Sequence, residues 1–122
     1  MGRGFKELLV WQKGRDLAVE IYKISHQGRF KTDFGLRDQL RRAAVSVPSN
    51  IAEGDERDTD KDATRFFYMA KGSLAELRTQ LDIARRIDYI SEEVFHSFEE
   101  KAILIGKMLG SLIKARSSPH RR

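Results

Sequence analysis

Apolar residues recur along this chain at steps of three and four, the spacing that lines one face of an α-helix. Four segments show the pattern, at residues 10–25, 35–54, 60–88 and 92–115. No segment alternates apolar and polar residues between turn residues, as a half-buried strand would. Four amphipathic helices with short connections leave few arrangements other than an antiparallel bundle. The pattern therefore predicts an all-α chain folded as an up-down four-helix bundle.

The length of the chain, 122 residues, predicts one domain. We expect an amino-terminal arm at 1–9, the bundle at 10–115 and a disordered basic tail at 116–122. A chain of this size buries about 65% of its unfolded surface, so it needs no metal or disulfide for stability. The absence of cysteine agrees with a reducing compartment. No apolar run approaches the roughly 20 residues of a membrane span, and the apolar patch near the amino terminus is short for a signal peptide. We therefore expect a soluble, cytoplasmic protein with no membrane partner.

The second segment carries a proline, Pro48, inside its helical pattern. Proline lacks the amide donor that a helix interior uses, so we expect a kink there. Ser46, Ser49 and Asn50 cluster around it. Their side chains can satisfy the freed backbone groups, which we favour, or they can bind a ligand. Gly54 is predicted to end this helix as a carboxyl-terminal cap.

The fourth segment is apolar over more of its surface than one neighbouring helix can cover. Gly106 and Gly110 lie four residues apart and would allow another backbone to approach closely. Such a surface is buried inside the chain or against another subunit. The predicted oligomer interface consists of Ile103, Gly106, Gly110 and Ile113.

Basic residues outside the apolar seams are candidates for contact with phosphates. Some lie on the back of the second helix, and Lys71, Arg78 and Arg85 recur every seven residues beside the seam of the third. The alternative is that they are solvated or held in local ion pairs, as Asp38 allows for its arginine neighbours. The candidate nucleic-acid-binding residues are Arg37, Arg41, Arg42, Lys71, Arg78, Arg85, Lys114, Arg116, Arg121 and Arg122.

The net charge of +5 is compatible with a polyanionic partner, but its position limits the inference. Four of the five units come from Lys114, Arg116, Arg121 and Arg122, since residues 114–122 contain no acid. The remaining 113 residues carry only +1. The tail can therefore attract phosphates at long range, or it can serve solubility alone.

The sequence shows no assembled catalytic, cofactor or metal site. Glu93 and His96 form one Glu-x-x-His pair, whereas a di-iron bundle needs two such pairs and two further carboxylates. Phosphate loops, nucleophile elbows and zinc motifs are absent from the sequence. We expect Glu53 and Glu76 to form structural ion pairs rather than perform acid-base chemistry. The prediction is a protein that is not an enzyme and needs no cofactor.

Three segments carry a resemblance to a known family. They are LLVWQKG at 8–14, QLRRAAVSVPSNIAEG at 39–54 and AKGSLAELRTQLDIA at 70–84. Over residues 5–113 the chain resembles the four-helix-bundle proteins encoded by intervening sequences of 23S ribosomal RNA genes, also called the S23-type ribosomal protein family. The resemblance implies a ring-like homopentamer without established enzymatic activity. It extends to the accessory variability protein of diversity-generating retroelements, which works with a reverse transcriptase and nucleic acid.

Two functions follow as alternatives. The first is an oligomeric accessory or adaptor protein that binds RNA or DNA electrostatically and with little sequence preference, because no base-reading module is recognisable. The second is a structural or protein-interaction module without a nucleic-acid role, for example a partner of a reverse transcriptase.

Overall fold

The computed structural model describes residues 4–117 and contains helices joined by short connections. No strand occurs within these residues, and none of their helices is long and apolar enough to cross a membrane. This confirms the all-α prediction. The helices are α1 (Leu9–Ile24), α2 (Phe34–Asp55), α3 (Asp60–Arg86) and α4 (Glu92–Ser117), with short 3₁₀ helices at Phe5–Glu7 and Gly28–Lys31.

Contacts between side chains show that α3 and α4 run in opposite directions. The first residue of α3, Asp60, pairs with Arg116 at the end of α4. Further along, Arg78 pairs with Glu99. Residue numbers therefore increase along α3 as those of their partners decrease along α4. The same relation holds between α2 and α3, and between α1 and α2. The described chain is the predicted antiparallel bundle.

The core lies along the axis between the helices and takes apolar residues from all of them. Ile21, Leu40, Phe67, Leu77 and Leu109 are fully buried, one or two from each helix. Burying a side chain of this size contributes about 1.5–3 kcal/mol, so these residues dominate the stability of the bundle. They occupy the apolar stripes that the sequence pattern predicts.

Polar side chains cap the amino-terminal ends of the third and fourth helices. Thr59 accepts a hydrogen bond from the Asp62 amide at 3.1 Å, and Ser91 accepts one from the Val94 amide at 3.1 Å. Each satisfies an amide that has no partner within its helix. The third helix ends two residues earlier than predicted, and Asp88 lies in the following turn with a φ of 64°.

The prediction that Gly54 caps α2 is wrong. The helix continues to Asp55, and Gly54 is buried inside it. A Cβ atom at this position would lie 2.6 Å from Cε1 of Phe67 and 2.9 Å from the carbonyl oxygen of Ala63. Glycine is needed because α2 and α3 approach each other too closely for any side chain.

Helix α2 continues through Pro48, which is buried against α1. A Cβ atom on Gly14 would lie 3.6 Å from Cβ of Pro48, so a small residue in α1 faces the proline. The amide of Asn50 donates to both the carbonyl and the hydroxyl oxygen of Ser46, each at 2.9 Å. The Asn50 side chain thus serves the local backbone, although the carbonyl bonded is not the one that the proline leaves free, and the Ser46 hydroxyl bonds other side chains.

Both predicted flanking segments are partly folded. Phe5 packs edge-on against Trp11, with 5.2 Å between the ring centroids, so the arm lies against α1. At the other end, α4 reaches Ser117 and includes the first two residues of the predicted tail. The rest of that tail, 118–122, lies outside the described residues.

Candidate nucleic-acid interface

A groove with basic edges runs between α3 and α4. Its volume is about 470 Å³, and we call it the basic groove. It combines residues predicted for nucleic-acid contact with residues predicted for the oligomer interface, and one surface cannot serve both at once. The residues that matter are Lys71, Arg78, Ile103, Gly106, Lys107 and Gly110.

The lysines of the basic groove are free to meet an external anion. Lys71, Lys107 and Lys114 are exposed, and none forms an ion pair with a carboxylate of residues 4–117. Lys114 lies seven residues after Lys107 and so continues the same face of α4. The three ammonium groups create a positive edge that no nearby acid neutralises.

Arg78 lies in the same groove but is already bound. It donates to both carboxylate oxygens of Glu99, at 3.0 and 2.7 Å. This hydrogen bonding raises the pKa of Arg78 and lowers the pKa of Glu99 from their ordinary values. A bidentate pair of this kind is geometrically specific and holds the guanidinium in place. Arg78 therefore joins α3 to α4 and contributes little free charge to the groove.

Glycines shape the floor of the basic groove. A Cβ atom on Gly106 would lie 3.5 Å from Leu74, which is ordinary contact, whereas one on Gly110 would meet nothing within 4 Å. Packing inside the described chain therefore gives no reason for Gly110. Ile103 is 39% exposed beside them, but Ile113 is only 7% exposed and belongs to the core of its own chain.

The arginines of α2 that face α1 have structural partners. Arg41 donates to the hydroxyl of Ser25 at 2.8 Å and lies over the ring of Tyr22. Ser25 is fully buried, so this bond satisfies a hydroxyl that water cannot reach. Arg37 pairs with Asp38 at 3.5 Å. Neither arginine lies near the basic groove.

Two further candidate residues, Arg85 and Arg116, form ion pairs between helices at the ends of the bundle. Arg85 pairs with Asp82 and with Glu92 across the turn from α3 to α4. Arg116 pairs with Asp60 at 3.5 Å, and its side chain is only 16% exposed. Both bridge one helix to the next, which is the structural alternative that the sequence left open.

Three of the predicted nucleic-acid residues are therefore exposed and have no carboxylate partner within the described chain. Lys71 lines the basic groove, Lys114 continues the face of α4 that carries Lys107, and Arg42 lines a separate cleft between α2 and α3. Arg121 and Arg122 lie outside the described residues. The structure adds Lys107, which the seven-residue spacing from Lys114 could have revealed.

A second groove, between α1 and α2, is larger and mostly apolar. Its volume is about 920 Å³, and we call it the apolar groove. Val19, Tyr22 and Val45 in its walls are 41–46% exposed. The ionisable residues that line it are Arg15, Lys23 and His26, and no acid lines it. The apolar residues that line it include Trp11, Val19, Tyr22, Val45, Pro48 and Ala52.

The cleft between α2 and α3 is polar and has a volume of about 420 Å³. Polar side chains of both helices line it, and we call it the polar cleft. Inside its edge, the hydroxyl of Ser73 donates to the hydroxyl oxygen of Ser46 at 2.8 Å. The lining residues are Gln39, Arg42, Ala43, Ser46, Glu76 and Gln80.

The carboxylates singled out from the sequence do not meet. Glu53 pairs at 2.5 Å with Arg57, which lies in the connection after α2, whereas Glu76 lines the polar cleft without an ion pair among residues 4–117. His96 lies 3.6 Å from Glu92, one turn before it. No group of three potential metal ligands occurs in the described part of the chain.

A family model described as "23S rRNA-intervening sequence protein" matches residues 6–111. That match covers most of the bundle. The chain belongs to the 23S rRNA-intervening sequence protein family. No curated protein matches the chain.

A solved structure supports this membership. It is the crystal structure of a protein of unknown function from the S23 ribosomal protein family of Bacteroides thetaiotaomicron. The two sequences are 27% identical, and the alignment covers 87% of this chain and 99% of that one, with a TM-score of 0.80. The bundle is therefore shared with this member of the S23 family.

The segments that carry the resemblance to the intervening-sequence family meet at the polar cleft. Segment 39–54 supplies Gln39, Arg42 and Ser46 from α2, and segment 70–84 supplies Glu76 and Gln80 from α3. Each set follows steps of three or four and so lines one flank of its helix. That spacing is visible in the sequence, but it does not indicate that the two flanks face each other.

Proposed function

We propose that the chain is a non-enzymatic, self-assembling accessory protein that binds nucleic acid through the basic groove. The observation that carries this proposal is the exposed lysine edge formed by Lys71, Lys107 and Lys114, without a carboxylate partner among the described residues. Exposed ammonium groups that no acid neutralises are the groups that release counterions when they meet phosphates. Membership of the intervening-sequence family agrees with this function and does not by itself imply it.

The binding is electrostatic and has little sequence preference. Lysine contacts phosphate as a point charge and reads no base edge from outside the grooves of a duplex. A single lysine edge is a weak site, because each exposed contact contributes little at physiological salt. Assembly into a closed ring repeats the edge around one axis and strengthens the field that attracts a polyanion.

The apolar groove supports self-assembly. A ring needs two different, complementary surfaces on each subunit, since each copy contacts the next one head to tail. The groove is concave, apolar and edged by basic residues. The outer face of α4 presents Leu104, which is 46% exposed, with Glu100 and Glu93 one and three turns before it. Leu104 with Glu100 fits a groove that is apolar and has basic edges, so we assign the groove to α4 of a second copy; the number five rests on the family resemblance.

The test compares the full-length chain with a chain ending at Ser117, using fluorescence anisotropy on labelled single-stranded and duplex oligonucleotides across a salt series. Truncation after α4 keeps the ion pair of Arg116 and removes Arg121 and Arg122. Binding by the basic groove requires that the shorter chain keeps most of its affinity and a steep salt dependence. If neither chain binds RNA or DNA at low salt, the proposed function is wrong.

A specific observation favours the protein-interaction alternative. The apolar groove is concave and has a volume of about 920 Å³, and helices of partner proteins bind apolar grooves through anchors at helical spacing. A partner such as a reverse transcriptase would then replace the second copy. A monomer in solution, together with no oligonucleotide binding at low salt, would support this alternative over the assembly proposed above.

A further inference from the structure

We propose that the polar cleft between α2 and α3 binds one unpaired nucleotide, with Arg42 on its phosphate and Glu76 on the edge of its base. The proposal rests on the proposed function and adds to it a site that distinguishes single strands from duplexes. Arg42 and Glu76 line the same cleft, yet they form no ion pair with each other or with another described residue. A cation and an anion that share a cleft and stay apart leave room for a ligand that carries both an anion and a hydrogen-bond donor.

The hydroxyl of Ser46 has a proton to offer in this cleft. Its oxygen accepts one hydrogen bond from Ser73 at 2.8 Å and another from Asn50 at 2.9 Å. A hydroxyl has two acceptor positions and one donor, so its own proton remains available. Ser73 is 8% exposed and Asn50 donates from the same helix, which holds the Ser46 oxygen in place.

The amide of Gln80 is the least satisfied polar group of the cleft. Its nitrogen reaches Gln39 only at 3.5 Å, and its oxygen is buried without a partner. A buried polar group without a partner costs about 1–3 kcal/mol. Turning this amide toward a bound donor would remove that cost, so the apo cleft is prepared for a polar ligand.

Nucleotide chemistry matches these groups. A guanidinium is well suited to phosphate, because its planar donors reach two oxygens together. A carboxylate accepts from an exocyclic amino group such as that of cytosine, and an amide or hydroxyl can read the neighbouring position. The Watson–Crick edge of a base is paired in a duplex and open in a single strand, where the base can be splayed out into a cleft. The ligand class is therefore an unpaired nucleotide with an exocyclic amino group.

Gly72 gives the strand a path from the basic groove to the cleft. The groove and the cleft lie on opposite flanks of α3, and Gly72 is exposed on the outer surface between them. A Cβ atom there would meet nothing within 4 Å, so packing does not explain the glycine. Glycine inside a helix costs about 1 kcal/mol relative to alanine. Because no side chain projects from α3 at this position, the backbone of a nucleic-acid strand can cross the helix closely.

The experiment compares labelled oligo-dC with a strand of equal length and phosphate number that lacks its bases, on full-length protein. We expect oligo-dC to bind about tenfold tighter, the usual size of one good base contact. Glu76→Gln should reduce this difference, because a neutral amide oxygen is a weaker acceptor than a carboxylate, although removal of an acid alone would strengthen phosphate binding. Glu56→Gln is the matched control, because Glu56 is exposed, follows the end of α2 and lines none of the three sites. Circular dichroism confirms the fold of each variant.

Further measurements distinguish a free nucleotide from a nucleic-acid strand as the ligand, and failure of the cleft proposal from failure of the proposed function. If cytidine monophosphate displaces oligo-dC, a free nucleotide is sufficient for binding in the cleft. If only unlabelled strands displace it, and strand binding is weakened in Gly72→Leu, the ligand is an unpaired base of a nucleic acid. Equal affinity for oligo-dC and the strand without bases would overturn the cleft proposal and leave the basic groove intact. Stronger oligo-dC binding by Glu76→Gln would overturn it as well. If no strand binds at low salt, the proposed function and this inference both fail.

Discussion

The apolar groove and the basic groove are built from the same kind of helix pair but differ in what their edges expose. Between α1 and α2, Val19, Tyr22 and Val45 remain 41–46% exposed although they line a concave surface. Between α3 and α4, glycines flatten the floor and lysines form the edge. A concave apolar surface is stabilised most by burial against an apolar partner that excludes water. Separated ammonium groups bind a polyanion most favourably.

The difference changes which surface is assigned to assembly. From the sequence alone, α4 is the broadly apolar helix and the expected subunit face. In the bundle, much of that surface is used internally, as Ile113 and Leu109 show with 7% and 0% exposure. The unused concave apolar surface lies instead on α1 and α2. A helix with more apolar surface than one neighbour can cover is therefore predicted to be buried. The pattern does not indicate whether it is buried inside the chain or between chains.

The largest expected effect comes from a charge in the apolar groove. Val45→Lys places an ammonium where the second copy would pack, and burying an unpaired charge in an interface costs several kcal/mol. We expect the assembly to dissociate to the 14.1 kDa chain in sedimentation velocity. Ile83→Lys is the control, since Ile83 is 46% exposed and lines neither groove. An unchanged mass for Val45→Lys would remove the apolar groove from the interface.

Neutralising the basic groove should have the next largest effect. Lys71→Gln together with Lys107→Gln removes two phosphate contacts, so the log–log salt slope for duplex DNA should become less steep by about 1.8. Anisotropy across a salt series measures this slope. Lys31→Gln with Lys61→Gln changes the net charge equally at exposed positions outside the groove. Equal slopes for the two double variants would show that overall charge, and not the groove, attracts the nucleic acid.

Gly110→Leu distinguishes the two grooves directly. The new side chain fills the floor of the basic groove, where a Cβ atom meets nothing within 4 Å, and leaves the lysines in place. We expect weaker oligonucleotide binding than in the unaltered protein, but a smaller loss than in the double lysine variant, with assembly unchanged. The helix itself should gain roughly 0.5–1 kcal/mol. A lower assembly mass would place the face of α4 that carries Gly106 and Gly110 in the subunit interface, as the sequence predicts.

The smallest effect concerns the ion pair of Arg78 and Glu99. Hydrogen bonds from Arg78 lower the pKa of Glu99 in the folded state. A lowered folded pKa stabilises the protein above the unfolded value, about 4.3, and this contribution is lost as the pH falls through the folded value. Glu99→Gln should therefore reduce the free energy of unfolding by up to about 1 kcal/mol at pH 7, and the difference should fade in acid. Urea titration of both proteins at pH 7 and below pH 4 measures the free energy of unfolding. A difference between the two proteins that does not change with pH would contradict the explanation by the lowered pKa.

The same variant releases Arg78 into the basic groove. A guanidinium freed from its carboxylate can contact one more duplex phosphate, so the salt slope should steepen by about 0.9. Weaker binding by Glu99→Gln would instead mean that the pair shapes the groove. This outcome would separate the geometry of the basic groove from its charge.

The sequence by itself determined the helices, most of their ends and the core. Periodicity acts within one helix, and caps such as Thr59 and Ser91 bond to amides three residues later. These effects depend on neighbours along the chain, so the sequence contains all of their partners. It also contains the family resemblance, which the matches to this family confirm.

Tertiary structure decided what each polar residue and glycine does. Arg78 meets Glu99 and Arg41 meets Ser25, across 21 and 16 residues of chain, and the register between antiparallel helices selects these pairs. Gly54 has a cap-like position in the sequence, yet the approach of α3 makes it a buried contact. A helical pattern states which residues share a face, but only the packing of the helices states what that face meets.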